Sequence, residues 1–252
     1  MQVTRIQQNT GKLLSPRSRQ SSASRHASEF IDSILALRPQ IAAFDCDGTL
    51  WSGDAGEGFF SWELDHRLVS DEIVAWARPR YAAYRAGQVS EDEMCGEMVF
   101  MHYGLSESLV QAAANQFFDE KFVPQIFPEM RKLVQKLEKQ GCQVWAVSST
   151  NEWMIRAGMR HFGIPQERIL AASVRVENGV ITDQLIRVPS GPGKPEALRG
   201  ALQQSLDVAF GNSRWDAAML EMAKSGVAVN PNPDLETMAR ERGWRIYFPE
   251  VK

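Results

Sequence analysis

Four consecutive apolar residues, Ile41-Ala42-Ala43-Phe44, run directly into Asp45-Cys46-Asp47-Gly48-Thr49-Leu50. A short apolar run closed by turn residues reads as a strand of a parallel sheet, buried on both faces. Ahead of it, Ser28 to Leu37 predicts a short helix, with Ser28 as its cap and Phe30, Ile31, Ile34 and Leu35 on one face. Arg38-Pro39 ends that helix. Between residues 51 and 127 the period changes. Apolar positions recur at helical spacing: Phe59, Phe60 and Leu64, then Ile73, Trp76, Tyr81 and Tyr84, then Met94, Met98 and Met101. Gly87 and Gly104 punctuate the stretch. It predicts an all-helical insertion whose aromatic and methionine stripes form its own core.

Strand–helix alternation returns after the insertion. Met130–Lys139 predicts a helix stopped by Gly141, and Gln143–Val147 a strand leading through Ser148-Ser149-Thr150-Asn151 into a helix that reaches about His161. Arg168–Ala172 predicts a strand. Val174–Val176 and Val180–Asp183 flank Asn178-Gly179, the strongest two-residue hairpin signal. Gly191-Pro192-Gly193-Lys194-Pro195 opens a helix containing Leu198 and Leu202. Further strands are expected at Asp207–Phe210, Gly226–Val229 and Trp244–Phe248, with helices at Asp216–Ala223 and Leu235–Arg240. Repeated β-then-α order implies an α/β fold: a Rossmann-like parallel sheet covered on both faces. The expected division is a mobile tail over 1–27, a core of 28–50 with 128–252, and a helical domain of 51–127.

Composition narrows the function classes. The chain has 252 residues, 44% hydrophobic and 23% charged, an ordinary globular balance. A formal charge of −3 leaves no basic footprint for nucleic acid, and no apolar run reaches a membrane span. Cys46, Cys95 and Cys142 are too widely spaced for a disulfide framework or a zinc site, so a reducing cytoplasm is the expected setting. Residues 1–27, rich in Ser, Gln and Arg, lack the apolar core of a secretory signal.

The candidate chemistry begins at the end of the first strand, where open α/β sheets bind ligands. Asp45 and Asp47 are two residues apart and share a face in a regular strand. Carboxylates that close repel unless a cation or a shared proton relieves them. The alternative is a polar turn, since Asp and Gly are ordinary turn residues. Ser148 follows a second strand, where a hydroxyl and unpaired helix-opening N–H groups suit an anion; taken alone it reads as a plain helix cap. Lys194, before a helix, brings a positive charge, and Asp216, after Gly211-Asn212-Ser213-Arg214-Trp215, a third carboxylate suited to Mg²⁺. Each signal is weak alone. Their joint placement at strand ends or in loops entering helices gives them weight.

With these motifs in hand, the chain resembles the haloacid dehalogenase superfamily of phosphatases over roughly residues 40–232. Phe-Asp-Cys-Asp-Gly-Thr-Leu matches that family's first motif, and Ser148, Lys194 and Gly-Asn-Ser-Arg-Trp-Asp match its second, third and fourth. The distance from Asp45 to Ser148 suits a helical cap of the phosphoserine phosphatase-like kind. The resemblance implies that Asp45 is the nucleophile, forming an aspartyl-phosphate, and that Asp47 is the acid and base. It implies that Ser148 and Lys194 hold the phosphoryl group, and that Mg²⁺ sits among Asp45, the Asp47 carbonyl and the fourth motif, Asn212 and Asp216. Asn212 departs from the family's usual Asp, which lowers the charge offered to the metal. Met98 falls where that subgroup places a carboxylate-clamping arginine, and a methionine cannot make that contact.

The resemblance with these departures points to a Mg²⁺-dependent hydrolase of a small phosphomonoester that carries an amine but no carboxylate, such as phosphoethanolamine or phosphocholine. Trp51, Asp54, Glu57, Met98 and Ser149 are the expected substrate contacts, Asp54 standing where the subgroup places an acid for the substrate amine. For Trp51 and Phe59, packing between cap and core is the competing role. Two other readings stay open: a phosphotransferase or mutase, and a catalytically silent phosphate-binding module, which Asn212 keeps in play.

Overall fold

Seven strands form one sheet in the computed structural model, which describes residues 16–250, with side chains from residue 25. They are β1 (Ile41–Phe44), β2 (Gln143–Asn151), β3 (Ile169–Glu177), β4 (Val180–Arg187), β5 (Val208–Gly211), β6 (Ser225–Val229) and β7 (Arg245–Tyr247). Their order across the sheet is β4-β3-β2-β1-β5-β6-β7. All pairs are parallel except β3 with β4, the hairpin announced by Asn178-Gly179. Both turn residues have positive φ, 51° and 78°, as a type I′ turn requires.

The helices are α1 (Pro16–Leu35), then α2 (Ala55–Asp65), α3 (Asp71–Arg85), α4 (Glu91–Phe100) and α5 (Glu107–Lys121) between β1 and β2. After them come α6 (Pro128–Lys139), α7 (Glu152–Met159), α8 (Gly193–Ala201), α9 (Ala217–Met222) and α10 (Pro233–Arg242). Alternation along β1 sorts them onto two faces. Ala42 and Phe44 pack with Ile31 and Ile34 of α1, Leu133 and Leu137 of α6 and Ile155 of α7. Ile41 and Ala43 pack with Leu198 of α8, Leu220 of α9 and Leu235 of α10. Both faces of β1 are therefore dry, which is why its sequence carries no polar residue. Phe44 stacks on Phe210 of β5 at 4.0 Å, and burying each ring stabilises the sheet by about 1.5–3 kcal/mol.

The inserted helices have a small core of their own, built from Phe60, Leu64, Ala77, Val89, Met94 and Met101. Two expected members lie elsewhere. Trp76 is exposed, and Phe59 turns toward the sheet-side core with Phe117 and Phe118. Other boundaries shift. The helix expected from Ser28 begins at Pro16, because a Pro is at home in a first turn and Arg, Gln and Ala prolong a helix readily. The tail expected over 1–27 is thus helical from residue 16, and residues 1–15 lie outside the described part. The second strand runs past Val147 to Asn151 with a register break after Ser148.

Candidate active site

The chain leaves β1 for β2 and β3 on one side and returns to β5, β6 and β7 on the other. Loops at the carboxyl end of β1 diverge at this point and leave a crevice, the usual ligand site of an open α/β sheet. Asp45 is the first residue beyond the strand, and its N–H donates to Phe210 O at 2.9 Å. Its carboxylate is fixed from both sides: Lys194 Nζ donates to Oδ1 at 2.7 Å and Thr49 Oγ1 to Oδ2 at 2.8 Å. The turn that returns Thr49 to Asp45 passes through Gly48, whose φ is +73°. A Cβ there would lie 1.9 Å from the Asn212 side-chain amide, so only glycine lets Asn212 lie against this turn.

Lys194 enters from the first turn of α8. The preceding Gly193 runs so close to Val188 that a Cβ would stand 2.7 Å from its carbonyl oxygen. The buried ammonium uses all three donors, on Asp45, on Asp216 Oδ1 at 2.5 Å and on Val147 O at 3.1 Å. Burial disfavours its charge, but Asp216 and Asp45 outweigh that and raise its pKa above the ordinary lysine value. The Asp45 carboxyl is pushed up to about 6, by burial first and by Asp216 next, against the lowering effect of Lys194.

Asp216 is bound on both sides by protein groups. It is buried, and Oδ2 accepts from Asn212 N and Ser213 N, each at 2.9 Å, and from Ser213 Oγ at 3.2 Å. With Oδ1 on Lys194, both oxygens face protein donors, and Asp216 ties Lys194 to the 212–213 turn. Among the described residues no group of three His, Cys, Asp or Glu is arranged to hold a metal ion.

Asp47 is held differently. Oδ1 accepts two N–H groups, from Trp51 Nε1 at 2.8 Å and Ala55 N at 2.6 Å. Oδ2 meets the Thr150 hydroxyl at 2.9 Å. Burial first, and the Asp54 charge next, push this carboxyl up to about 8. Because Oδ1 is committed to accepting, a proton on Asp47 belongs on Oδ2. Trp51 does not line the site as expected. It is fully buried, edge-on to Phe118 at a centroid distance of 5.0 Å, and only its N–H reaches the chemistry, through Asp47.

Asp45, Asp47, Ser148, Ser149, Lys194 and Asn212 line one cleft, as their order along the chain suggested. Ser148 caps no helix: its Oγ accepts from Thr150 N at 3.1 Å, and Asn151 caps α7 instead. A second cavity adjoins the cleft beneath the inserted helices, and Asp54, Tyr84, Glu91, Ser149 and Thr150 line both. Glu57 and Met98 line only the second. Asp54 also caps α2, accepting from Glu57 N at 2.8 Å. Of the side chains whose placement the sequence left open, Arg85 reaches this cavity, whereas Arg80 pairs with Glu93 and Glu97, and His102 is buried against Glu63.

Thr49, Thr150, Tyr84 and Glu91 were not among the expected site residues. For the two threonines a signal existed, since each lies within four positions of a motif residue. Tyr84 was expected in the core of the insertion and nothing local marks Glu91; the packing of α3 and α4 over the cleft brings them there.

Comparison with known proteins finds relatives of this chain. A histidinol-phosphatase of Neisseria meningitidis is 29% identical over 217 residues, covering 82% of this chain and 97% of that protein. The phosphoserine phosphatase SerB1 of Mycobacterium tuberculosis is 26% identical over 81% of this chain and 69% of its own length. A Bordetella pertussis protein of unknown function has the same fold, with a TM-score of 0.74 at 21% identity over 85% of this chain and 99% of that one. A phosphoserine phosphatase solved as a phospho-aspartyl intermediate analogue gives 0.56 at 16% identity over 84% and 94%. The family model for haloacid dehalogenase-like hydrolases matches residues 42–221, from β1 to the end of α9, and the chain belongs to that family.

Proposed function

We propose that the protein is a phosphatase that hydrolyses a small phosphomonoester through an aspartyl-phosphate on Asp45. The observation that carries this reading is the opposite setting of two neighbouring carboxyls. Asp45 is clamped beside a buried ammonium, whereas Asp47 is held with one oxygen committed to N–H groups and the other facing the Thr150 hydroxyl, which can accept a hydrogen bond from it as well as donate one. In the first step an Asp45 oxygen attacks phosphorus and the bond to the alcohol oxygen breaks. Asp47 Oδ2 gives its proton to that oxygen. In the second step Asp47, now ionised, takes a proton from water, which attacks phosphorus and releases inorganic phosphate and the Asp45 carboxylate. Lys194 brings its positive charge and Ser148 its hydroxyl to the cleft where charge builds on the phosphoryl oxygens. Thr49 and Lys194 keep the nucleophile in one orientation. Thr150 and Trp51 do the same for the acid.

The oxygen donors at the cleft suit a hard cation such as Mg²⁺: the Asp45 carboxylate, the Asp47 main-chain carbonyl and the Asn212 amide oxygen. Mg²⁺ bound there would neutralise phosphoryl charge. With Asp216 turned to Lys194, this set has fewer charges than two free carboxylates would give.

In this reading residues 51–127 form a cap over the cleft, and the adjoining cavity takes the alcohol part of the substrate. Asp54, Glu57 and Glu91 there favour a cation, and Met98 offers nothing to a carboxylate. A small amine phosphate such as phosphoethanolamine or phosphocholine fits. Histidinol, named for one relative, is likewise an amino alcohol without a carboxylate. One observation favours a second reading: Arg85 lines the same cavity, so a substrate carboxylate, as in phosphoserine, would have a partner. The test is phosphate release from p-nitrophenyl phosphate by the full chain, with and without EDTA and with no added acceptor. Turnover that EDTA stops, and that Asp45→Asn lowers at least about a thousandfold with its circular dichroism unchanged, is expected. A wild-type chain that binds vanadate but never turns over is a silent module, and one that needs an alcohol acceptor is a transferase.

A further inference from the structure

Beneath α3 and α4 the cavity beside the cleft is small, about 80 Å³, room for about five water-sized groups. One wall is apolar, from Met94, Met98 and Cys95. The rest is acceptor-rich: Asp54, Glu57 and Glu91, with Tyr81 and Tyr84 between them. Burial and the adjacent carboxylates, Glu57 for Tyr81 and Glu91 for Tyr84, push both phenols above their ordinary values, so both keep their protons. Three carboxylates face one cation, the exposed Arg85.

Glu91 stands apart within this set. It is the first residue of α4, and it spans from the insertion to the phosphate end. The Tyr84 hydroxyl donates to Oε2, while Ser149 Oγ reaches Oε1 at 3.5 Å. Ser149 follows Ser148 directly, so the Glu91 carboxylate hangs at the junction of cavity and cleft, and it lines both. Its contacts are the Tyr84 hydroxyl on Oε2 and, on Oε1, the Ser149 hydroxyl and the Cys95 thiol at 3.9 Å, which leaves acceptor capacity on the carboxylate.

Resting on the phosphatase reading above, we infer that Glu91 is a specificity-determining residue, which selects phosphomonoesters whose alcohol carries an N–H-bearing cation within a few atoms of the phosphate. Carboxylate and phenol oxygens reward N–H donors, and a primary ammonium supplies three. A trimethylammonium has none, so the three carboxylates would gain no hydrogen bond from it, whatever the rings of Tyr81 and Tyr84 add. A carboxylate brought to the same place would meet Glu91 head-on. The preferred class is therefore primary-amine phosphates, ahead of quaternary ammonium phosphates and of amino-acid phosphates.

The experiment compares wild type with Glu91→Gln, which preserves shape and can still accept from Tyr84, on phosphoethanolamine, phosphocholine, phosphoserine and p-nitrophenyl phosphate. Wild type is expected to prefer phosphoethanolamine. Glu91→Gln is expected to lower its kcat/KM about tenfold, chiefly through KM, with p-nitrophenyl phosphate changed less than about threefold. Glu91→Ala should repeat the pattern, with an unchanged melting temperature excluding collapse of the cap. Equal loss on all substrates, or loss in kcat alone, would make Glu91 a structural tie to Ser149 and overturn the inference. So would a wild type that prefers phosphoserine or phosphocholine. No turnover of p-nitrophenyl phosphate by wild type would sink the phosphatase reading itself, and that result is separate from the others.

Discussion

Asp216→Asn removes one charge from the most tightly connected part of the molecule while keeping its shape. The native carboxylate holds the Lys194 ammonium on Oδ1 and three donors on Oδ2. The amide cannot satisfy both sides. Turned one way, its NH₂ meets the ammonium; turned the other, it meets the N–H groups of Asn212 and Ser213. Each hydrogen bond to a charged group contributes about 1.5–3 kcal/mol, and breaking a buried ion pair at one partner costs about 3–5 kcal/mol. These contributions belong to one network and do not add. Lys194 keeps Asp45 and Val147 O, so the expected loss lies at the lower end, about 3 kcal/mol.

In urea, with a slope near 3 kcal/mol per molar, that loss lowers the unfolding midpoint by about 1 M. The decisive comparison is the same titration in EDTA and in excess Mg²⁺. An anchor loses its stability in both, because its partners are protein groups. A metal ligand would lose little in EDTA and would instead show a raised Mg²⁺ requirement. Turnover should fall about 10–100-fold in either case, as Lys194 relaxes from Asp45. A loss under about 1 kcal/mol in EDTA would refute the anchor role and return Asp216 to the metal.

Asn212→Asp adds a carboxylate beside Asp45 and should lower the Mg²⁺ concentration for half-maximal turnover about tenfold; an unchanged Mg²⁺ titration would mean that residue 212 is no ligand. Asp207 binds the start of β1, accepting from Gln40 N at 2.8 Å and Ile41 N at 3.0 Å while pairing with Lys224 at 2.7 Å. Burial opposes its ionised form, but these donors outweigh it and hold the carboxyl below its usual value. Its stabilisation is therefore complete above about pH 4 and is lost as pH falls through the folded-state value. Asp207→Asn should cost about 1–2 kcal/mol at pH 7 and less at pH 3, by urea unfolding at each pH; a loss independent of pH would rule out the charge. Gly158 faces Trp51 and Phe118 so closely that a Cβ would stand 2.8 Å from one ring and 2.9 Å from the other. Gly158→Ala should thus cost about 1–3 kcal/mol by overpacking, and a neutral melting temperature would contradict the packing of Trp51.

The α/β architecture and the place of the cleft were legible along the chain because both depend on local patterns. Ile41-Ala42-Ala43-Phe44 is apolar at every position, which only a strand covered on both faces tolerates, and the acids follow where that strand must end. Asn178-Gly179 specifies its hairpin through backbone angles that few other pairs adopt. Lys194 and Asp45 could be paired in advance because a strand end and a loop entering a helix fall on the same rim of a parallel sheet. Burial and direction were not legible. Trp51 reads from sequence as an aromatic near the site mouth, yet its ring fits between α5 and α7, a space that exists only once those helices pack. Asp216 reads as an acid after a strand, and only the fold turns both its oxygens inward onto Lys194 and the Asn212-Ser213 amides. Tyr84 reads from sequence only as part of a helical stripe, and Glu91 carries no signal of its own, because the contacts of Glu91 with Tyr84 and Ser149 depend on how the helices between β1 and β2 lie over the sheet. The sequence by itself determined which elements form and which chemical groups stand at their ends. The tertiary structure decided which of those groups face the cleft, since that depends on contacts between segments far apart along the chain.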